Sequence, residues 1–136
     1  MRLWEKRLLP YLPDKFIIAQ WRECIAIKRQ WEKGTLKHRL VSYVMNYDRQ
    51  YFETYVMQVV VAMVFRNIKF QSKYYREILS FCSNDEPFNV DPYPEHNDRY
   101  LRQCYYNLQE KYDRGIVSEE EWTLIYKEFH DMIKEE

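Results

Sequence analysis

YFETYVMQVVVAMVF, residues 51–65, is the stretch whose conformation decides the fold class. Its aromatic and β-branched residues, Val59-Val60-Val61 among them, lean locally towards a strand. Its length and apolar span favour a buried helix instead, and we read it as the central core helix. Composition agrees, since two Gly and five Pro in 136 residues are too few for a many-turned β fold. A chain of this length holds one compact domain with a real core and is too short for two ordinary ones. The expectation is an all-α fold: a compact single-domain helical bundle over residues 1–136, with an irregular N-terminal segment and one long loop.

Upstream of that helix a break is expected at Asn46 to Asp48. Before it, Thr35 is placed to cap a helical stretch beginning Lys37-His38-Arg39-Leu40-Val41, with Tyr43, Val44 and Tyr47 continuing its apolar stripe. A first long helix is predicted from about Asp14 to Arg29. Asp14 stands where an N-cap would sit, after a turn bracketed by Pro10 and Pro13, and the helix fades towards Gly34, where Lys28, Arg29 and Lys33 complement its negative end. Phe16, Ile17, Ile18, Ala19, Trp21, Cys24, Ile25, Ala26 and Ile27 require this helix to be covered on most sides.

Downstream, a short helix is expected around Tyr74 to Phe81. Ser83 to Asn97, with three Pro, forms the longest loop, held on the body by Phe88 and Tyr93. A further helix runs from about Asp98 to Arg114, with Leu101, Cys104, Tyr105, Leu108 and Tyr112 at helical spacing and Gly115 as its stop. Ser118-Glu119-Glu120-Glu121 is a capping box opening a last helix that ends near Ile133, with Trp122, Tyr126 and Phe129 read as core contacts. No repeat, low-complexity tract or linker interrupts the chain.

The formal net charge is zero, but it is unevenly spread. Residues 1–39 hold ten Lys and Arg against four Asp and Glu, a net of +6, whereas residues 110–136 hold four against nine, a net of −5. A basic face binds phosphates even when an acidic face elsewhere cancels the total. No run is apolar enough to span a bilayer, and Met1-Arg2-Leu3-Trp4-Glu5 lacks a signal-peptide core, so a soluble cytoplasmic protein with no membrane partner is expected. Cys24, Cys82 and Cys104 have neither disulfide nor zinc spacing and are expected to be reduced and mostly buried.

Phosphate-loop, nucleophile-elbow and His-Glu-x-x-His motifs are all missing. His38, His96 and His130 lie far apart without metal-ligand spacing, so no metal site is indicated. His96 is expected to serve a cap or turn and His130 a surface or packing contact. His38, flanked by Lys37 and Arg39, is expected at a helix start whose amides could face an anion.

The residue that stands out is Glu23. Its neighbours at three and four positions are Ala19, Gln20, Ala26 and Ile27, so no cation on its own helix face neutralises it. A carboxylate hemmed in by apolar groups has a raised pKa unless a distant partner reaches it, and such groups are enriched at sites of proton transfer. The structural alternative is an ion pair with an Arg from another helix.

Met1-Arg2-Leu3-Trp4, Gln20-Trp21-Arg22-Glu23-Cys24, the Lys37-His38 pair and Leu108-Gln109-Glu110-Lys111 together resemble the phage-type pyrimidine-dimer DNA glycosylases, particularly their bacterial branch. The similarity can be followed over most of residues 1–114, and the Arg-Glu pair is its most specific element. The resemblance implies a small all-α enzyme that binds damaged double-stranded DNA, bends it and extrudes a nucleotide. It implies base removal by the terminal α-amine through a Schiff base, support from the glutamate matching Glu23, strand cleavage by β-elimination, and no metal or organic cofactor. An α-amine, with a reference pKa of about 8, is appreciably neutral and nucleophilic at physiological pH. The phage prototype exposes a Thr amine after loss of Met, but Arg2 is too large for the usual removal, so Met1 itself is the expected nucleophile.

In this reading Met1 and Glu23 are catalytic, and Arg2, Arg22, Lys33, Lys37, His38, Arg39 and Lys111 contact DNA. A monomer is the simplest expectation. Two alternatives are a non-catalytic nucleic-acid-binding module on the same fold and a protein-interaction domain using exposed aromatics. The acidic C-terminus, where the prototype has a basic aromatic tail, implies altered lesion contacts there.

Overall fold

The computed structural model describes residues 1–83 and 93–134. Five α-helices follow an N-terminal segment: α1 (Asp14–Lys33), α2 (Arg49–Phe65), α3 (Ser72–Cys82), α4 (Asp98–Asp113) and α5 (Glu119–Lys134). Short 3-10 helices at Lys6–Tyr11 and Ser42–Asn46 fill the connections, and no strand occurs among the described residues. The all-α expectation is met.

α2 is the centre of the molecule, packed against α1, α3 and the first 3-10 helix. It starts at Asp48, whose carboxylate accepts the Gln50 amide at 2.9 Å, and buries Phe52, Tyr55, Val56, Val59, Val60, Ala62 and Met63. Full burial of side chains such as Phe52 or Val59 stabilises the fold by about 1.5–3 kcal/mol each, which outweighs the weak strand preference of the Val run. Its end is set at Asn67, at φ 57°, where the Ile68 amide turns back to the Met63 carbonyl.

Three boundaries differ from the sequence expectation. The N-cap of α1 is Pro13, whose carbonyl accepts the Phe16 and Ile17 amides; Asp14 is the first helical residue and pairs with Arg66 at 3.2 Å. α1 also runs one turn further, to Lys33, and ends on Gly34 at φ 73°. Finally, no helix starts at Lys37. Thr35 donates both its amide (2.8 Å) and its hydroxyl (3.3 Å) to the Gln30 carbonyl, which ties it to the end of α1 and not to the start of a following helix. Residues 38–41 instead close a turn in which the Val41 and Ser42 amides reach the His38 carbonyl.

α1 is less enclosed than its composition suggests. Ile17, Gln20, Trp21, Cys24, Ile27 and Lys28 are buried, Ile18, Ile25 and Ala26 are half-buried, and Ala19 and Arg22 are exposed. In the long loop, Tyr93 is buried and its ring lies against Tyr43 and Tyr51, whereas Phe88 falls outside the described residues. His96 is more than a turn residue. Its ring is buried, with Nδ1 accepting the Lys6 amide at 3.2 Å and Nε2 2.8 Å from the Tyr43 hydroxyl.

The α5 capping box forms in both directions, Ser118 Oγ to the Glu121 amide and the Glu121 carboxylate to the Ser118 amide. Trp122 and Phe129 are core residues, but Tyr126 is exposed and stacks on His130 at 4.1 Å, because its position turns it to the solvent side of the helix. All three cysteines are free and buried. No described helix is long and apolar enough to cross a membrane.

Candidate active site

The irregular N-terminus is fixed on α1 by one side chain. Gln20, fully buried, accepts the Trp4 amide at 2.7 Å and the Tyr55 hydroxyl at 3.0 Å through Oε1. Through Nε2 it donates to the Arg2 carbonyl at 2.9 Å and to Glu23 Oε2 at 3.0 Å. The Tyr55 hydroxyl shares its one proton between Gln20 and the closer Trp4 carbonyl, at 2.7 Å, and the Tyr100 hydroxyl donates to the Leu3 carbonyl. Residues 2–4 are thus tied to α1, α2 and α4 through their backbone.

Further along, the buried Glu5 carboxylate caps the following 3-10 helix, accepting the Arg7 amide at 2.8 Å and Arg7 Nε at 2.9 Å. Arg66 binds the carbonyls of Leu9, Pro10 and Leu12. The segment is irregular and also firmly held.

This brings Met1 beside Glu23. Both line a pocket of about 350 Å³ with Arg2, Trp4, Phe16, Ala19, Gln20, Leu40, Asn107 and Lys111. The pocket joins the N-terminus, α1, the turn after α1 and α4. Glu23 is half-buried, and burial lifts its carboxyl above the ordinary value. The N-terminal ammonium, the Arg2 backbone N–H, the Gln20 amide and His38 each pull it partly back. Among the described residues, no Arg side chain from another helix pairs with Glu23, in contrast to the ion-pair alternative.

The expected site residues divide into two groups. Met1, Arg2, Glu23 and Lys111 share the pocket, with Lys111 Nζ 5.9 Å from the Phe16 ring centroid. Arg2 is half-buried, its guanidinium 5.7 Å from the Trp4 ring centroid. Arg22, Lys33, Lys37, His38 and Arg39 lie outside the pocket lining and are exposed. His38 sits in a turn, its Nδ1 accepting the Leu40 amide at 3.3 Å, and not at a helix N-terminus.

Gln20, Phe16, Leu40 and Asn107 are pocket residues that sequence reasoning leaves without a role. For Gln20 a signal exists: a polar residue on an otherwise buried face, three positions before Glu23. Leu40 and Asn107 carry no local signal, because a turn and a distant helix deliver them.

A groove of about 400 Å³ lined by Lys6, Leu9, Pro10, Gln58, Val61, Ala62, Phe65 and Arg66 is somewhat larger. Its charged groups are Lys6 and Arg66, with no carboxylate to pair with either, so the chemistry favours the pocket at Met1, where an amine and a carboxylate occur together.

The family model described as pyrimidine dimer DNA glycosylase matches residues 1–76, a span that includes Met1, Arg2, Gln20, Glu23 and all of α2 but not Asn107 or Lys111. No curated protein and no solved structure matches the chain.

Proposed function

The chain belongs to the pyrimidine dimer DNA glycosylase family, and on that basis we propose that it removes a damaged pyrimidine, a cyclobutane dimer foremost, by covalent catalysis from the Met1 amine and then cleaves the abasic strand. The observation that carries this reading is the pairing, in one open pocket, of the chain's α-amine with a half-buried carboxylate.

In the reaction, the neutral amine attacks the sugar C1′, a new C–N bond forms, and the glycosidic bond breaks with its electron pair leaving on the base. Ring opening gives an imine. The Glu23 carboxylate stabilises the cationic sugar and then shuttles protons one at a time, taking one from the attacking nitrogen, returning it to the ring oxygen as the sugar opens, and later taking the C2′ proton. Loss of the C2′ proton expels the 3′ phosphate by β-elimination, and water hydrolyses the imine to free the amine. Every one of these groups belongs to the chain, the DNA or solvent, so the scheme uses no cofactor.

Arg22, Lys33, Lys37, His38 and Arg39 supply phosphate contacts around the pocket, and Lys111 and Arg2 supply positive charge within it. A damaged duplex is the natural substrate, because a lesion lowers the cost of unpairing. The protein acts as a monomer in this scheme.

The test is Glu23→Gln. This variant keeps an acceptor for the Arg2 amide but not the negative charge. It is expected to lose turnover on a dimer-containing duplex by at least about 100-fold while retaining lesion binding. Turnover equal to that of the wild type would remove Glu23 from the mechanism. Salt-sensitive DNA binding with no turnover in the wild type would leave the non-catalytic binding module as the function.

A further inference from the structure

Gln20 is held on both sides of its amide. Both N–H groups are engaged, by Arg2 and Glu23, and the oxygen accepts the Trp4 amide and faces the Tyr55 hydroxyl, whose single proton it shares with the Trp4 carbonyl. The orientation is unambiguous, since the Trp4 amide can only donate and the Arg2 carbonyl can only accept. Two of the four contacts fix the backbone that leads to Met1, and a third fixes Glu23. The same buried group therefore sets both members of the reacting pair.

Taking Met1 and Glu23 as that pair, we propose that Gln20 is the positioning residue of the active site, a molecular gauge that fixes the distance from the N-terminal amine to the carboxylate and orients the latter by a donated hydrogen bond. Other side chains cannot fill this role. A carboxylate at position 20 would accept from Trp4 and Tyr55 but could donate nothing to the Arg2 carbonyl, and it would place a second negative charge against Glu23. An aliphatic side chain would leave the Trp4 amide and the Arg2 carbonyl buried and unpaired. The charged groups around Glu23 are the N-terminal ammonium and Arg2 from the first segment, His38 from the turn and Lys111 from α4. Gln20 is its neutral partner from α1.

The experiment compares wild type, Gln20→Met, Gln20→Glu and Tyr55→Phe on a dimer-containing duplex. It measures kcat, KM, borohydride trapping and the Glu23 carboxyl midpoint by carbon-13 NMR. Gln20→Met is expected to lower kcat and trapping about 10- to 100-fold at similar KM and to raise the Glu23 midpoint, because the donated bond is lost. Gln20→Glu, closest in shape to the native side chain and keeping the acceptor for the Trp4 amide, gives a second readout that does not depend on Gln20→Met folding, and is expected to raise the midpoint further. Tyr55→Phe removes a partner from the same Oε1 and should lower stability without moving the midpoint.

If trapping and the Glu23 midpoint stay at wild-type values in either Gln20 variant, the positioning role is overturned while the function stands. If the wild type itself is never trapped, the Met1 reading fails and the Gln20 proposal goes with it.

Discussion

Glu23 and His96 show how burial acts in opposite directions on an acid and a base. His96 has its Nδ1 occupied by the Lys6 amide, so the neutral ring carries its proton on Nε2 and donates it to Tyr43. Burial foremost, with the Lys6 and Arg7 charges, holds its pKa down at about 3. The unfolded ring takes a proton near pH 6.5 and the folded ring does not, so this contribution is complete above the unfolded value and is lost as pH falls towards the folded one. Glu5 and Glu23, raised mainly by burial, act with the opposite sign: their contribution is present at low pH and is lost as pH rises through their folded values.

Denaturant unfolding should therefore show His96 removing roughly 2 kcal/mol of stability between pH 7 and pH 5. His96→Gln, although less stable at pH 7, should show a correspondingly smaller loss over the same interval. An identical pH slope in the variant would show that His96 titrates normally. At this scale Glu23 is legible in the sequence, because an acid without a helical counter-ion is visible in the spacing. The His96 role is not, because Lys6 and Tyr43 reach it from ninety and fifty-three residues away.

At the scale of elements, the end of α1 places the turn that carries His38 and Leu40. Gly34 adopts φ 73°, and a Cβ there would meet nothing within 4 Å, so replacement is opposed by backbone strain alone. Gly34→Ala is expected to cost about 1–2 kcal/mol and to weaken DNA binding through displacement of residues 35–41. Thermal melts and a binding titration would check both effects, and a variant as stable as wild type would contradict the assigned cap. α2 is legible from its length and apolar span, α4 from its helical spacing and the Gly115 stop, and α5 from the Ser118 capping box, which forms as read; the caps that Asp48 and Asn97 provide are seen only in the structure. Lys37–Val41 is not legible as a turn, since Thr35 has a cap residue's chemistry and only the structure shows it tied to the end of α1.

For the whole molecule, the uneven charge matters more than its zero sum. The first 39 residues, at a net of +6, supply both the exposed cations Arg22, Lys33, Lys37 and Arg39 and most of the pocket lining, which Leu40, Asn107 and Lys111 complete. Removing Lys37 and Arg39 together should weaken binding to damaged and undamaged duplex alike and reduce the salt slope by about two. An unchanged slope would mean that DNA lies on another face. The acidic α5 stands apart from this surface in sequence, and its Trp122 and Phe129 serve the core.

The central claim is that the Met1 amine attacks the sugar. Borohydride reduction of the purified protein with duplexes carrying a pyrimidine dimer, an abasic site or no damage, followed by peptide mapping, tests it most directly. The account predicts a covalent adduct with both damaged duplexes, mapping to the α-amine of Met1, and none with the undamaged control. An adduct on a lysine side chain, or no adduct where turnover is observed, would contradict it.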